Sequence, residues 1–227
     1  MFIHSCSMMF FSFFSCSVSP MTTLTLLRHT KPAIPTGICY GQTDIACAES
    51  FANEAEEIAR YMALRTELHG APIITSPLIR CTHLAQTLAP ALGSSQVLTD
   101  ARLQELHFGA WEMCAWENIP PDDLQTWMEG YMHIAPPQGE TYTELYNRCG
   151  DALMDYIENM THAEQQHGVM VTHAGCIRAM LAYCVGFHPG LSINFTIGYG
   201  SMTELHYTNG KWSIGYVNRT AHVSEVR

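Results

Sequence analysis

Arg28 and His29 stand together at the end of an apolar run, Leu24-Thr25-Leu26-Leu27. A second run, Gly168-Val169-Met170-Val171-Thr172, also ends in a histidine, His173, followed by Ala174-Gly175 and a helical pattern. One such pair reads as an ordinary polar strand end. Two strand-end histidines point to a shared site, because open α/β sheets hold their ligands beyond the carboxyl ends of their strands. Arg80 and Glu105 add a cation and a carboxylate. Phosphate monoester dianions repel anionic nucleophiles, so a neutral imidazole flanked by guanidinium groups is a workable attacker. In that chemistry His29 would attack phosphorus, and Arg28 and Arg80 would hold the equatorial oxygens. His173 would donate a further hydrogen bond, helped by backbone N–H groups such as that of Ala174 at a helix start. Glu105 would protonate the leaving oxygen and then, as carboxylate, activate water against the phosphohistidine.

These residues need elements to place them. Leu24 to Arg28 and Gly168 to Thr172 have the length and β-prone character of buried central strands. Pro72-Ile73-Ile74-Thr75 reads as a short strand, and Ser76-Pro77 as an N-cap with proline in the first helical position. Cys81, Leu84, Ala85, Leu88 and Leu92 form the core stripe of the following helix, which ends near Gly93. Arg80 then lies in its first turn, where the macrodipole disfavours a cation unless an anion is bound. Phe51, Ala55, Ile58, Ala59 and Met62 make an earlier helical stripe that Gly70 should stop.

The loop Lys31 to Gln42 contains Gly37-Ile38-Cys39-Tyr40-Gly41-Gln42-Thr43-Asp44. Its glycines suit a loop folded over a small ligand, with Tyr40, Gly41 and Gln42 as candidate substrate-binding residues. An ordinary turn-rich connection fits this segment equally well. Residues 101–112 show no clean period but combine Glu105 and Glu112 with Phe108 and Trp111. Glu105, between Leu103 and Leu106, is the better placed for a partly desolvated acid. Residues 113–138 read as an insertion with one short helix around Asp123 to Met132, covering the site and shaping substrate choice. Thr141-Tyr142-Thr143-Glu144 fits a capping box, followed by Leu145, Cys149, Ala152, Leu153, Tyr156 and Met160 as a buried face. Met202 to His206 and Trp212 to Val217 flank Thr208-Asn209-Gly210, a strong hairpin signal.

The 227 residues suffice for one α/β domain with a substantial core. A formal charge of −10, with 11 Lys and Arg, argues against nucleic-acid or anionic-membrane surfaces, which need a dense basic footprint. Nine cysteines without C-x-x-C spacing read as reduced thiols of a cytoplasmic protein. Twelve histidines invite a metal, yet no zinc spacing is present, and metal binding is the weaker reading. Residues 1–20 lack the basic region of a secretory signal, and their apolar run is too short to span a bilayer. They read as an extension before a true start at Met21, or as a degenerate signal, with residues 21–227 forming the domain.

The set Leu-Arg-His-Thr, Thr75-Ser76-Pro77-Leu78-x-Arg80, Glu105-x-x-Phe108-Gly109-x-Trp111-Glu112, Gly139-Glu140-Thr141 and Val171-Thr172-His173-Ala174-Gly175 resembles the histidine phosphatase superfamily, also called phosphoglycerate mutase-like. The resemblance covers Met21 to the C-terminus. It implies a three-layer α/β/α sandwich with a mostly parallel central sheet, ending here in the hairpin. It implies His29 as phosphorylated nucleophile, Arg28, Arg80 and His173 as the phosphate pocket, Glu105 as proton donor, and no metal or other cofactor. The Gly37 to Asp44 loop and the short length resemble the α-ribazole phosphatase branch, which removes a 5′-phosphate during assembly of the cobalamin nucleotide loop. The expected partner is a small phosphate monoester, with no nucleic acid or membrane, and a homodimer is a candidate assembly. A broad-specificity phosphatase or a phosphoglycerate mutase-type enzyme is the alternative, although a second phosphate would need more basic groups than this chain's two lysines, Lys31 and Lys211, suggest. An inactive relative serving as a binding module is opposed by the intact set of candidate residues. This chain departs from the commoner pattern at Thr30, where Gly is usual, at Met113, where Gly often follows Trp-Glu, and at Ala46-Cys47, where Pro-Leu is usual.

Overall fold

The computed structural model describes residues 21–221. The expectation about residues 1–20 lies outside the described residues. Six strands form one sheet: β1 (Thr22–Arg28), β2 (Ile73–Thr75), β3 (Val97–Thr99), β4 (His167–Thr172), β5 (Met202–Thr208) and β6 (Lys211–Arg219). Their order is β3-β2-β4-β1-β5-β6, with β1, β2, β3 and β4 parallel and β5 and β6 antiparallel to their neighbours. The fold is thus α/β with a mostly parallel sheet and a C-terminal hairpin. Asn209 and Gly210, both at positive φ, make the hairpin turn.

Helices cover both faces. Leu24 and Leu26 of β1 and Met170 of β4 pack with α4 (Tyr142–His162) and α5 (Ala174–Val185), whereas Leu27, Val169 and Val171 pack with α1 (Phe51–Ala63) and α2 (Ile79–Leu92). The two-residue alternation of a strand therefore feeds both cores, which is why these strands read as continuous apolar runs. After β1 the chain leaves toward one face and after β4 toward the other. The crevice between their carboxyl ends is a topological switch point.

The capping box is present: Thr141 Oγ1 accepts from Glu144 N–H, and Glu144 accepts from Thr141 N–H. The insertion carries α3 (Pro121–Gly130) and a short 3₁₀ turn at Trp116–Asn118. Two local expectations are corrected. Helix α1 ends at Ala63, well before Gly70, because Arg65 is drawn out of helical geometry to bond Glu204 and Tyr216 of the hairpin. Ser76 does not cap α2, which begins at Ile79 with Leu78 in the N-cap position. Strand β3 was not foreseen; it has three residues, and two of them are exposed. Met113 has φ 66, which explains why glycine suits that position. Among the described residues no helix is long and apolar enough to cross a membrane.

Candidate active site

The parallel register places Arg28 opposite Thr172, so the next residues, His29 and His173, emerge side by side. Their rings lie 5.1 Å apart, edge to face. Each is almost wholly enclosed, at 1% and 0% exposure. Burial, reinforced by the positive charges of Arg80 and Arg28, holds His29 neutral far below the usual histidine range. Burial does the same to His173, with His29 and Arg80 beside it. His29 Nδ1 is 2.6 Å from Thr30 O, a contact that needs the proton on Nδ1 and leaves a lone pair on Nε2. That is the state of a nucleophile.

Arg80 follows β2 into the first turn of α2 and is fully buried. Its Nη1 donates to Thr43 O at 2.8 Å and its Nη2 to Gly41 O at 2.7 Å. Arg28 Nη1 donates to Ile197 O at 2.6 Å, and its guanidinium lies 3.8 Å from the Tyr199 ring centre. Among the described residues, the Nε–H groups of both arginines are buried without an acceptor. Leaving a buried donor unpaired costs about 1–3 kcal/mol, more when it is charged. Two such donors beside a neutral imidazole form a site that an oxyanion completes. The expected grip of the arginines on phosphate is thus narrowed, since several terminal nitrogens already hold backbone carbonyls.

Glu105 sits at the junction between this crevice and a second space. Its Oε2 accepts from Gly175 N–H at 3.1 Å and its Oε1 from Leu106 N–H at 3.0 Å. A side chain at residue 175 would overlap Glu105 Oε1, so the glycine makes room for the carboxylate. Ala174 opens α5, where the first amides project from the helix. Beyond Glu105 lies a cavity of about 120 Å³ lined by aromatic side chains, among them Phe108, Trp127, Tyr131 and Tyr142, with Arg178 as its cation. Trp127 and Tyr131 come from the insertion, which accordingly walls this space. A larger recess of about 700 Å³, with Asp100 and Arg102 in its wall, is lined by none of the candidate residues.

The loop residues Tyr40, Gly41 and Gln42 are close by but internally engaged. Tyr40 OH is 3.0 Å from Tyr199 OH, and Gln42 Nε2 donates to Glu105 O at 3.0 Å. Gly41 has positive φ, and a side chain there would strike Glu112 Oε1 and Leu106 O. Glu112 is a clamp for this loop, accepting from Gln42 N–H at 2.9 Å, Thr43 N–H at 2.6 Å and the Thr43 hydroxyl. Sequence reasoning missed the supporting roles of four residues: Tyr199 over His29, Ser76 against His173, Glu112, and Arg148. Arg148 Nη1 donates at 2.6 Å to both Arg102 O and Gln104 O, and its Nη2 donates to Glu105 O at 3.0 Å and to Glu140. None carries a local signal beyond a polar residue in an otherwise apolar or glycine-rich stretch.

A family model described as histidine phosphatase superfamily (branch 1) matches residues 24–220. The chain is 25% identical over 210 residues to phosphoserine phosphatase 1 of Hydrogenobacter thermophilus, covering 90% of this chain and 96% of that protein. The native structure of mycobacterial glucosyl-3-phosphoglycerate phosphatase is similar in fold, with TM-score 0.75 and 22% identity over 88% of this chain and 100% of that one. The α-ribazole phosphatase structure from Shigella flexneri is similar to the same degree, with TM-score 0.75 and 18% identity over 88% and 97%.

Proposed function

The chain belongs to the histidine phosphatase superfamily and is a phosphoric monoester hydrolase, and we propose that it turns over by carrying phosphate on His29 Nε2. The observation that carries this reading is the pair of unpartnered guanidinium Nε–H groups, from Arg28 and Arg80, around a neutral His29. In the first step Nε2 attacks phosphorus while the two Nε–H donors, His173 and the Ala174 amide hold the equatorial oxygens. Glu105 gives its proton to the departing alkoxide, and the alcohol leaves. The resulting carboxylate takes a proton from water, whose oxygen attacks phosphohistidine, releasing inorganic phosphate and restoring the acid. Trapping of labelled phosphate on His29, and loss of turnover with retained fold in His29→Ala, test the mechanism. Near-normal turnover in that variant removes it.

For the substrate, the aromatic lining beyond Glu105 supports a leaving group with a flat apolar body. The benzimidazole nucleoside of α-ribazole 5′-phosphate has that character, in keeping with the resemblance of the Gly37 to Asp44 loop, and would place the enzyme in cobalamin nucleotide-loop assembly. Arg178 favours a second reading. Its Nε donates to Phe195 O at 2.8 Å, and among the described residues it forms no ion pair, so a carboxylate-bearing ester such as phosphoserine could pair with it. A mutase reading draws less support, because a second phosphate would rely on this one cation. A turnover panel of α-ribazole 5′-phosphate, phosphoserine and 3-phosphoglycerate separates the three. Trp127→Ala should raise KM chiefly for the first, and Arg178→Leu chiefly for the acids.

A further inference from the structure

We propose that Ser76 is a positioning residue that fixes the tautomer of His173: its hydroxyl donates to Nε2, so the ring proton sits on Nδ1 and is the one offered to a phosphoryl oxygen. This rests on the phosphohistidine reading for its functional meaning, though not for its geometry. Ser76 Oγ lies 2.8 Å from His173 Nε2, and both residues are fully buried. The same Oγ accepts the Leu78 N–H at 3.4 Å.

A serine hydroxyl has one proton and two lone pairs. If Nε2 carried the ring proton, Ser76 Oγ would accept from both Leu78 and His173, and its own proton would have only the Cys81 sulfur, a weak acceptor, to turn to. With Nε2 bare, every group is satisfied: Leu78 N–H donates to Oγ, and Oγ–H donates to Nε2. The tautomer is a real choice because burial and the neighbouring cations keep the ring uncharged. Among the described residues the ring's remaining polar neighbour is Cys81 Sγ, 3.5 Å from Nε2 and 3.9 Å from Nδ1. That thiol can point its proton at Thr172 O, 3.6 Å away. Sulfur is a weak acceptor, and a phosphate oxygen would displace it from Nδ1–H. The Ser-Pro pair that looks like a helix cap is therefore free of capping duty, and its hydroxyl is turned toward the site.

The test is nitrogen-15 NMR of histidine-labelled full-length protein at pH 7.5, alongside Ser76→Ala and Ser76→Thr. The wild type should show His173 with a protonated Nδ1 and a bare Nε2. Ser76→Ala should lose that signature and about 10–100-fold of kcat/KM, less than the ~10²–10³ typical of deleting an oxyanion donor outright. Ser76→Thr, which keeps a hydroxyl, should restore most of both. A protonated Nε2 in the wild type overturns the proposal, as does Ser76→Ala with an unmoved tautomer or unmoved turnover. Should the alanine variant not fold, the wild-type spectrum decides alone. Failure to trap phosphate on His29 would remove the phosphohistidine reading while leaving the tautomer result standing.

Discussion

Glu105 Oε2 accepts the Gly175 amide at 3.1 Å, which ties the expected acid to the helix that starts directly after His173. In the proposed mechanism this contact fixes the phosphate pocket and the leaving-group side to one another. An alkoxide needs a proton to leave, whereas a nitrophenolate hardly does. Glu105→Gln should slow phosphorylation by alkyl phosphates by ~10²–10⁴-fold and spare that by an aryl phosphate. The first-turnover burst measures this before water is needed. Equal losses for both leaving groups would move the acid role elsewhere, and Glu112, occupied with three hydrogen bonds to the loop at residues 42 and 43, is poorly placed to inherit it.

Gly175→Ala tests the same contact from the other side. A methyl there overlaps Glu105 Oε1, so the carboxylate must swing away. Alkyl ester turnover should fall at least tenfold, about 1.4 kcal/mol in the barrier, with labelled phosphate still trapped on His29 from an aryl donor. Unchanged alkyl turnover would show that Glu105 acts from a different position.

Arg148 holds the segment that presents Glu105, bonding three of its carbonyls and pairing with Glu140. Arg148→Met strands a partly buried carboxylate and frees the segment. Urea unfolding should report a loss of about 3–5 kcal/mol, the cost of removing one partner of a buried pair. Pairing it with Glu140→Leu should recover part of that loss. A single-variant change under about 1 kcal/mol would mean the network is dispensable.

His29 and His173 are both held well below their ordinary value of 6.5. As pH falls below 6.5 the unfolded chain takes up protons that these buried rings refuse. Their contribution to stability is complete above 6.5 and is lost progressively toward their depressed folded values, by at most about 1.4 kcal/mol per pH unit for each histidine. Denaturation midpoints across pH 4.5–7.5, compared with those of His173→Phe, should show a shallower acid slope in the variant. In the proposed mechanism the same depression keeps His29 unprotonated in mild acid, so single-turnover phosphorylation should show through 6.5 only the titration of the phosphate ester itself, whose second pKa is about 6.

The strand-end histidines, the capping box at Thr141 and the Asn209-Gly210 turn were legible because each is a local pattern: an apolar run, a four-residue reciprocal hydrogen bond, a pair of positive-φ residues. What was hidden depends on partners distant in the chain. Ser76 looked like a cap until His173, 97 residues away, claimed its hydroxyl. Gly70 looked like a stop, but the helix had already been ended by Arg65 reaching Glu204, 139 residues on. Strand β3 is too short to show a period and sits at the sheet edge, paired on one side with β2.

Arg80 divides one guanidinium between two tasks, since its terminal nitrogens hold Gly41 O and Thr43 O and its Nε–H awaits an acceptor. An anion taken by the third donor and a loop held by the other two therefore share a single rigid plane, and their free energies are linked in both directions. Inorganic phosphate should slow hydrogen exchange at the Gln42 and Thr43 amides, and Glu112→Gln, which loosens those amides without reaching the phosphate, should weaken phosphate binding by no more than that factor. Exchange rates that ignore phosphate would sever the link. If they follow it, the loop reports on occupancy, and product release and loop loosening become two readings of one guanidinium.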